Sequence, residues 1–332
     1  MYVSACPVGS AATFDDAGFT GRTPVRARPR RAIPGGVERE RVGTGQRPIR
    51  ETVRDYHAIP TRQLSCDGDG PTVVLLHGVY DRADTWLRVL ECMARAGRRA
   101  VAVDLPPIHL RAAGEPILPA LDAFVAAVVG AHASEDGVIL AGNSMGAGLT
   151  LRAALDPSLP IRVGVPIDIP GFGYRPLVRV TFGPYGPSEA LLARIRLPRA
   201  MFGLRPAHSY TRRMLHYRGR ASDPEHVRYF LDLFAAADPL GALAAAGRAL
   251  LGEFDAGYPP GTPAPLLFVH GRGDKLIPFT AAYRAAATYP GATVRILDTC
   301  GHCPQLDEPQ LLADLILDFD DTAHRPHLDR AL

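Results

Sequence analysis

The pattern with the clearest chemical meaning is Gly-Asn-Ser-Met-Gly at residues 142–146. It follows a short apolar run and opens a segment of small residues, so Ser144 is predicted to lie on a sharp strand-to-helix turn. Such a turn projects the serine oxygen above the sheet, and the following helix offers amide donors to a developing oxyanion. A Gly-x-Ser-x-Gly can also arise by chance in a Gly-rich chain, but the strand-turn-helix context favours a nucleophile.

A serine nucleophile needs a base, and the base needs an acid that orients it. Among eleven histidines, His302 is the best-placed base because it comes shortly after the last apolar run. Asp274 is the favoured acid, since it follows the preceding run by a short Gly-rich turn and gives the chain order serine, aspartate, histidine. Asp168 ends an earlier run and remains an alternative acid, whereas Asp104 is more typical of a structural loop residue.

Two backbone amides are predicted to stabilise the oxyanion. Gly78 follows an early apolar run and permits an unusual backbone angle, so the amide of Val79 can point at the site. The amide of Met145, directly after the serine, is its expected partner. These are backbone roles, which constrain the side chains only weakly.

The candidate residues follow the strands of one predicted sheet. Apolar runs occupy residues 72–76, 100–104, 137–142, 161–169, 265–270 and 293–297. Continuous apolar runs are typical of strands covered on both faces, and the segments between them suit helices. This alternation predicts an α/β fold with a doubly wound, mostly parallel sheet, in which ligands bind at the carboxyl ends of the strands.

One long segment breaks this alternation. Residues 171–263 contain helical patterns and Pro/Gly loops without a comparable apolar strand, and a structureless loop of that length is improbable in a compact domain. We therefore predict an inserted helical cap. The predicted organisation is a disordered Arg/Gly/Pro-rich leader at 1–50, a core at 51–170 and 264–322, the cap at 171–263 and a tail at 323–332.

Four ordered motifs resemble those of the α/β-hydrolase superfamily: His77-Gly78 followed by Trp86, residues 142–146, Gly-x-x-Asp-x-x-Ile-Pro at 271–278, and Gly301-His302. The resemblance spans about residues 60–320. It implies a serine hydrolase with an inserted cap that cleaves a carboxylic ester through an acyl-enzyme on Ser144. It leaves open C–C bond hydrolysis, perhydrolysis, lyase or acyl transfer chemistry, and a non-catalytic ligand receptor. Residues 104–109 depart from the family's Asp-x-x-Gly-x-Gly loop, which bears on substrate choice.

The composition limits the classes of partner and the cellular compartment that we expect for this chain. A net charge of +3 gives no case for nucleic acid, and no run of apolar residues is long enough to span a membrane. Five scattered cysteines favour a reducing compartment, so we expect a cytoplasmic protein without cofactor or metal. Residues 171–237 contain eleven arginines and only four acidic residues. This excess indicates an anionic or amphipathic small-molecule substrate, or a solvated arginine-rich helix face.

Cys300 and Cys303 enclose His302 in a Cys-Gly-His-Cys sequence, which is also the active-site tetrapeptide of protein disulfide isomerases. In those proteins it opens a helix of a thioredoxin-like fold, whereas here it ends a long α/β chain. Metal ligation would need further ligands at suitable spacing, and none stands out. We therefore expect two small buried thiols beside a catalytic histidine, whose oxidation would disturb that histidine.

Overall fold

The computed structural model describes residues 39–41, 48–110, 114–182, 191, 198–217, 224–236, 240–261 and 263–324. Most of the predicted leader and most of the predicted tail lie outside these residues. The sheet nevertheless begins inside the segment assigned to the leader, because Arg39–Arg41 forms a strand and Ile49–Tyr56 forms the next. The division into leader, core, cap and tail stays a prediction.

Nine strands form one sheet within the described part of the chain: β1 (Arg39–Arg41), β2 (Ile49–Tyr56), β3 (Ile59–Cys66), β4 (Asp69–Leu76), β5 (Arg98–Val103), β6 (Val138–Asn143), β7 (Ile161–Ile167), β8 (Leu267–Gly271) and β9 (Thr293–Leu297). Their order is β1-β2-β3-β5-β4-β6-β7-β8-β9. The six strands from β4 onward pair in parallel, while β1, β2 and β3 pair antiparallel at one side. The predicted doubly wound, mostly parallel α/β sheet is confirmed.

The described helices are α1 (Leu87–Arg95), α2 (Leu118–His132), α3 (Met145–Leu155), α4 (Pro176–Phe182), α5 (Arg199–Phe202), α6 (Arg205–Leu215), α7 (Pro224–Ala236), α8 (Leu240–Asp255), α9 (Thr280–Thr288), α10 (Pro304–Asp307) and α11 (Pro309–Ala323). Helices α4–α8 lie between β7 and β8, and we refer to them with their connecting segments as the insertion. No helix in the described ranges is long and apolar enough to cross a membrane.

The sheet is packed on both faces, as its apolar strands require. On one face, Trp86 and Met93 share a cluster with Ile316 of α11 and with alternate residues of the central strands. On the other face, Phe124 of α2 packs in a cluster that also contains Phe254 of α8. Burying a Phe side chain contributes roughly 1.5–3 kcal/mol, so Phe254 anchors the last helix of the insertion to the core.

Candidate active site

The predicted nucleophile lies on a strained turn. Ser144 joins β6 to α3 with a φ of 55°, a left-handed conformation that costs a non-glycine residue roughly 1–3 kcal/mol. Its neighbours hold it there: the Ser144 amide donates to the Ile167 carbonyl at 2.9 Å. A Cβ at Gly142 would lie 2.3 Å from the Gly146 carbonyl oxygen, and one at Gly146 would lie 2.4 Å from the Leu76 oxygen. Both glycines are therefore required by close backbone approach.

His302 and Asp274 are in direct contact. The Nδ1 atom of His302 lies 2.7 Å from Oδ2 of Asp274, and both side chains are buried. The other carboxylate oxygen of Asp274 accepts the backbone amides of Leu276 at 2.7 Å and Ile277 at 3.0 Å. Burial alone would raise the pKa of Asp274, but His302 and His270 outweigh it and hold this pKa well below its usual range. Asp274 is therefore an ionised acceptor for the imidazole.

Asp168, the alternative acid, makes different contacts. Its Oδ1 accepts the backbone amide of Gly271 at 2.9 Å, and its Oδ2 accepts the side-chain amide of Asn143 at 3.2 Å. Burial and the neighbouring charge of Asp274 raise the pKa of Asp168 well above its ordinary value. The two candidate acids thus differ in the direction of their pKa shifts as well as in their contact with His302.

Asp168, Asp274 and His302 also form a group whose metal-ligating atoms all lie within 4.8 Å of one another. Such spacing would suit a small cation. In this site, however, the His302 nitrogen and the Asp274 oxygen bond each other, and the Asp168 oxygens accept protein amides. We interpret the group as a hydrogen-bond network, and the expectation of no metal or cofactor stays a prediction.

Ser144 and His302 line one cavity, together with Gly78, Val79 and Met145. Its volume is about 120 Å³, smaller than the roughly 300–1,000 Å³ of drug-sized ligand pockets. A Cβ built on Gly78 would lie 3.4 Å from the Ser144 Cβ, so the early loop packs directly against the nucleophile. The structure thus brings together the predicted nucleophile, base and both predicted oxyanion residues.

His77 supports the early loop, a role that sequence reasoning missed. The backbone amide of Leu105 donates to His77 Nε2 at 2.8 Å, so that nitrogen is the acceptor and Nδ1 carries the proton. Nδ1 in turn donates to the Gly78 carbonyl at 2.7 Å. His77 therefore bridges the loop after β4 to the loop after β5. Its position before Gly78 was the available signal.

Asn143, the residue before the nucleophile, was also missed. Its side-chain amide donates to the His302 carbonyl at 3.0 Å as well as to Asp168, and its oxygen accepts from Gln305 at 3.3 Å. The nucleophile turn and the histidine loop are therefore joined by one buried side chain. Its place next to Ser144 was the only sequence signal.

The insertion supplies much of the cavity wall. Leu215, Phe230 and Phe254 present apolar side chains to the space around Ser144. One polar pair also faces it: His226 Nε2 lies 3.2 Å from Asp81 Oδ2. Burial would raise the pKa of Asp81, but His226 outweighs this and lowers it.

The two thiols beside His302 are buried and free. Burial raises the pKa of both Cys300 and Cys303, which keeps them protonated near neutral pH. Unreactive buried thiols agree with the interpretation of the Cys-Gly-His-Cys sequence as packing around a histidine.

A family model described as "Alpha/beta hydrolase family" matches residues 73–315, which include every predicted site residue. The chain belongs to the alpha/beta hydrolase family. The superfamily predicted from the four motifs is thereby confirmed.

Three proteins similar to this alpha/beta hydrolase illustrate the range of its relatives. It is 27% identical over 316 residues to an uncharacterized protein of Mycobacterium tuberculosis, covering 86% of this chain and 87% of the relative. It is 28% identical over 273 residues to a 2-hydroxy-6-oxononadienedioate/2-hydroxy-6-oxononatrienedioate hydrolase of Pseudomonas putida, covering 76% and 88%. The solved enol-lactonase of Burkholderia xenovorans superposes with a TM-score of 0.60 at 17% identity, covering 80% and 98%, and shows the fold alone.

Proposed function

We propose that this alpha/beta hydrolase is a serine hydrolase that cleaves a carboxylic ester through an acyl-enzyme on Ser144. The observation that carries the proposal is the 2.7 Å contact between His302 Nδ1 and Asp274, because it fixes which imidazole nitrogen holds the proton. With Nδ1 protonated, Nε2 is the basic nitrogen of His302, and His302 lines the same cavity as Ser144. Nucleophile, base and orienting acid then have the roles that acyl transfer requires.

In the proposed reaction, His302 takes the Ser144 proton as the serine oxygen attacks the ester carbonyl. The amides of Val79 and Met145 stabilise the resulting oxyanion. The tetrahedral intermediate collapses when the protonated His302 donates to the departing alcohol, leaving an acyl-enzyme. A water molecule, deprotonated by His302, then attacks the acyl carbonyl, and the serine leaves with the proton returned to it. The products are one carboxylic acid and one alcohol.

The test is covalent labelling followed by turnover. A fluorophosphonate probe should label Ser144 in the intact protein, as located by peptide mass spectrometry, and label nothing in Ser144→Ala. Ester turnover should fall by on the order of 10⁴-fold or more in that variant. Ser158→Ala, which changes an exposed serine in a loop, is the matched control and should retain both signals. A folded wild type that neither labels nor turns over an ester panel would refute the proposal and favour a ligand receptor.

We propose further that the insertion acts as a cap that selects the substrate. Support comes from its apolar residues in the cavity wall and from a basic cleft of about 630 Å³ beside it, which Arg212, Arg213, Arg272 and Lys275 line. Asp298 is the one acid among the described residues of that cleft, and it pairs with Arg272. An ester with an apolar acyl chain and an anionic group elsewhere fits this arrangement.

The cytoplasmic location expected from the cysteine content stays a prediction.

Carbon–carbon bond hydrolysis is the second candidate. It is favoured by the Pseudomonas putida relative, whose name gives dianionic oxo acids as substrates. The anionic groups of such substrates would also suit the basic cleft. Parallel assays on a carboxylic monoester and on a 2-hydroxy-6-oxodienoate separate the two reactions. A kcat/KM at least about tenfold higher for the ester supports the first proposal, and the reverse order replaces it with the second.

A further inference from the structure

The predicted base is held by the insertion as well as by the core. The backbone amide of His302 donates to the Leu215 carbonyl at 2.9 Å, and the amide of Cys303 donates to the same oxygen at 3.2 Å. Leu215 is the last residue of α6. The main chain at the predicted base therefore has its hydrogen-bond partner in the insertion.

Asp307 joins the same two segments through its carboxylate. One oxygen accepts the backbone amides of Gly301 at 2.7 Å and Tyr217 at 3.0 Å. The other lies 3.1 Å from His216 Nδ1, which donates to it. The side chains of His216 and Asp307 are 0% and 1% exposed. A carboxylate that accepts three hydrogen bonds away from water contributes strongly to the stability of this contact, because each donor would be unsatisfied without it.

The close approach of these segments depends on Gly301. A Cβ at this position would lie 2.7 Å from both the His216 carbonyl carbon and the Tyr217 nitrogen, well inside contact distance. Gly301 directly precedes His302. The chain that carries the base thus fits against residues 215–217 without space between their backbones.

We propose that Asp307 is a positioning residue, which together with His216 sets the position of His302 according to whether the insertion is docked on the core. This inference rests on the proposed function, in which His302 is the base. When residues 215–217 are in place, Leu215 and Asp307 fix the main chain on both sides of His302. When they move away, the amides of His302 and Cys303 lose the Leu215 carbonyl, and Asp307 keeps only the bond from Gly301. The base is then positioned for catalysis only in the docked state.

The small volume of the cavity relates the docking of the insertion to substrate binding. At about 120 Å³ it accommodates only a small group, so a larger substrate requires the insertion to move before it can bind. Return of the insertion would restore the hydrogen bonds to His302 at the same time as it excludes water from Ser144. The site would therefore become competent for catalysis only when the substrate is enclosed.

The test compares two substitutions at His216 with one at Asp307. Asn places an amide N–H near the position of His Nδ1, so His216→Asn should retain the bond to Asp307, while His216→Leu removes it. We expect His216→Leu and Asp307→Ala to lower kcat by on the order of 10–10²-fold, as for a base displaced by about 1 Å, with KM changed less than about threefold. His216→Asn should stay within about threefold of wild type in kcat.

The control for a general loss of stability is Asp320→Asn. Asp320 is a buried carboxylate of α11 that pairs with Arg162 at 2.5 Å and Arg98 at 3.5 Å, remote in sequence from the insertion. It should lower the melting temperature without the fall in kcat. The inference is wrong if Asp307→Ala keeps wild-type kcat, or if Asp320→Asn, at an equal loss of melting temperature, lowers kcat as much as Asp307→Ala does. If Asp307→Ala does not fold, the two His216 variants decide.

A spectroscopic measurement separates positioning from folding. The proton between His302 Nδ1 and Asp274 should give a low-field NMR resonance that disappears in His302→Gln. Broadening of this resonance in His216→Leu but not in His216→Asn is expected, and an unchanged resonance in both would overturn the inference. Failure of the proposed function is distinguishable, because the wild type would then show no fluorophosphonate labelling at Ser144.

Discussion

Replacement of Asp274 by Asn should nearly abolish activity while leaving the fold intact. The reason lies in its two oxygens. Oδ1 accepts the amides of Leu276 and Ile277, so the Asn carbonyl must stay there and its NH₂ group must face His302 Nδ1. A donor at that position forces the imidazole proton onto Nε2, where it blocks proton transfer from Ser144. Loss of the orienting acid in this way costs on the order of 10⁴-fold in kcat.

Asp168→Asn provides the matched comparison, because Asp168 is an equally buried carboxyl in the same network. Its oxygens accept the amides of Gly271 and Asn143, while His302 bonds Asp274, so we expect kcat within about tenfold of wild type. The opposed NH₂ groups of the new Asn and Asn143 should cost stability, roughly 1–3 kcal/mol. The assay is steady-state ester hydrolysis with thermal melts of both variants. A larger loss of kcat in Asp168→Asn than in Asp274→Asn would assign the acid to Asp168 and refute this reasoning.

Two further predictions follow from the cleft and the thiols. Changing Arg212, Arg213 and Lys275 together to Gln should raise KM for a dicarboxylic monoester by on the order of tenfold at low salt and leave KM for a neutral ester unchanged. The exposed control Arg88→Gln should leave KM unchanged for both esters. An equal rise in KM for both esters in the triple variant would remove the case for an anionic substrate. Because burial raises the pKa of Cys303, mild peroxide should spare the native enzyme and act only in partly denaturing urea, and native inactivation that maps to Cys303 by mass spectrometry would contradict this.

The sequence was sufficient to predict the parts of the fold that repeat a simple pattern. The continuous apolar runs match β4 to β9, since strands covered on both faces exclude polar residues. The antiparallel strands β2 and β3 were missed, because exposed polar residues interrupt their apolar pattern. Ser144 and His302 could be predicted to lie close together because each follows a strand that ends at the same edge of the sheet, and both line one cavity.

Contacts between segments distant in sequence were beyond such patterns. Nothing local in the sequence indicates that His216 bonds Asp307, because the two residues meet only when the insertion packs on the loop after β9. The polar pair of His226 and Asp81 joins a helix of the insertion to the early loop in the same way. Both rings are buried against core carboxylates, and His226 also lines the cavity beside Ser144.

The choice between Asp168 and Asp274 shows why chain order alone could not identify the acid. Both end runs at the same sheet edge, and both lie near His302. What separates them is the environment: the histidines beside Asp274 lower its pKa, and the negative Asp274 together with burial raises that of Asp168. Their effects on stability are therefore opposite in sign. Asp274 stabilises the fold above the ordinary carboxyl range and loses this contribution as pH falls through its lowered pKa, whereas Asp168 favours the fold while protonated and weakens it as pH rises from the ordinary range through its raised pKa. A pair whose pKa values are pushed apart can hold one negative charge at low cost, and the geometry places that charge against His302.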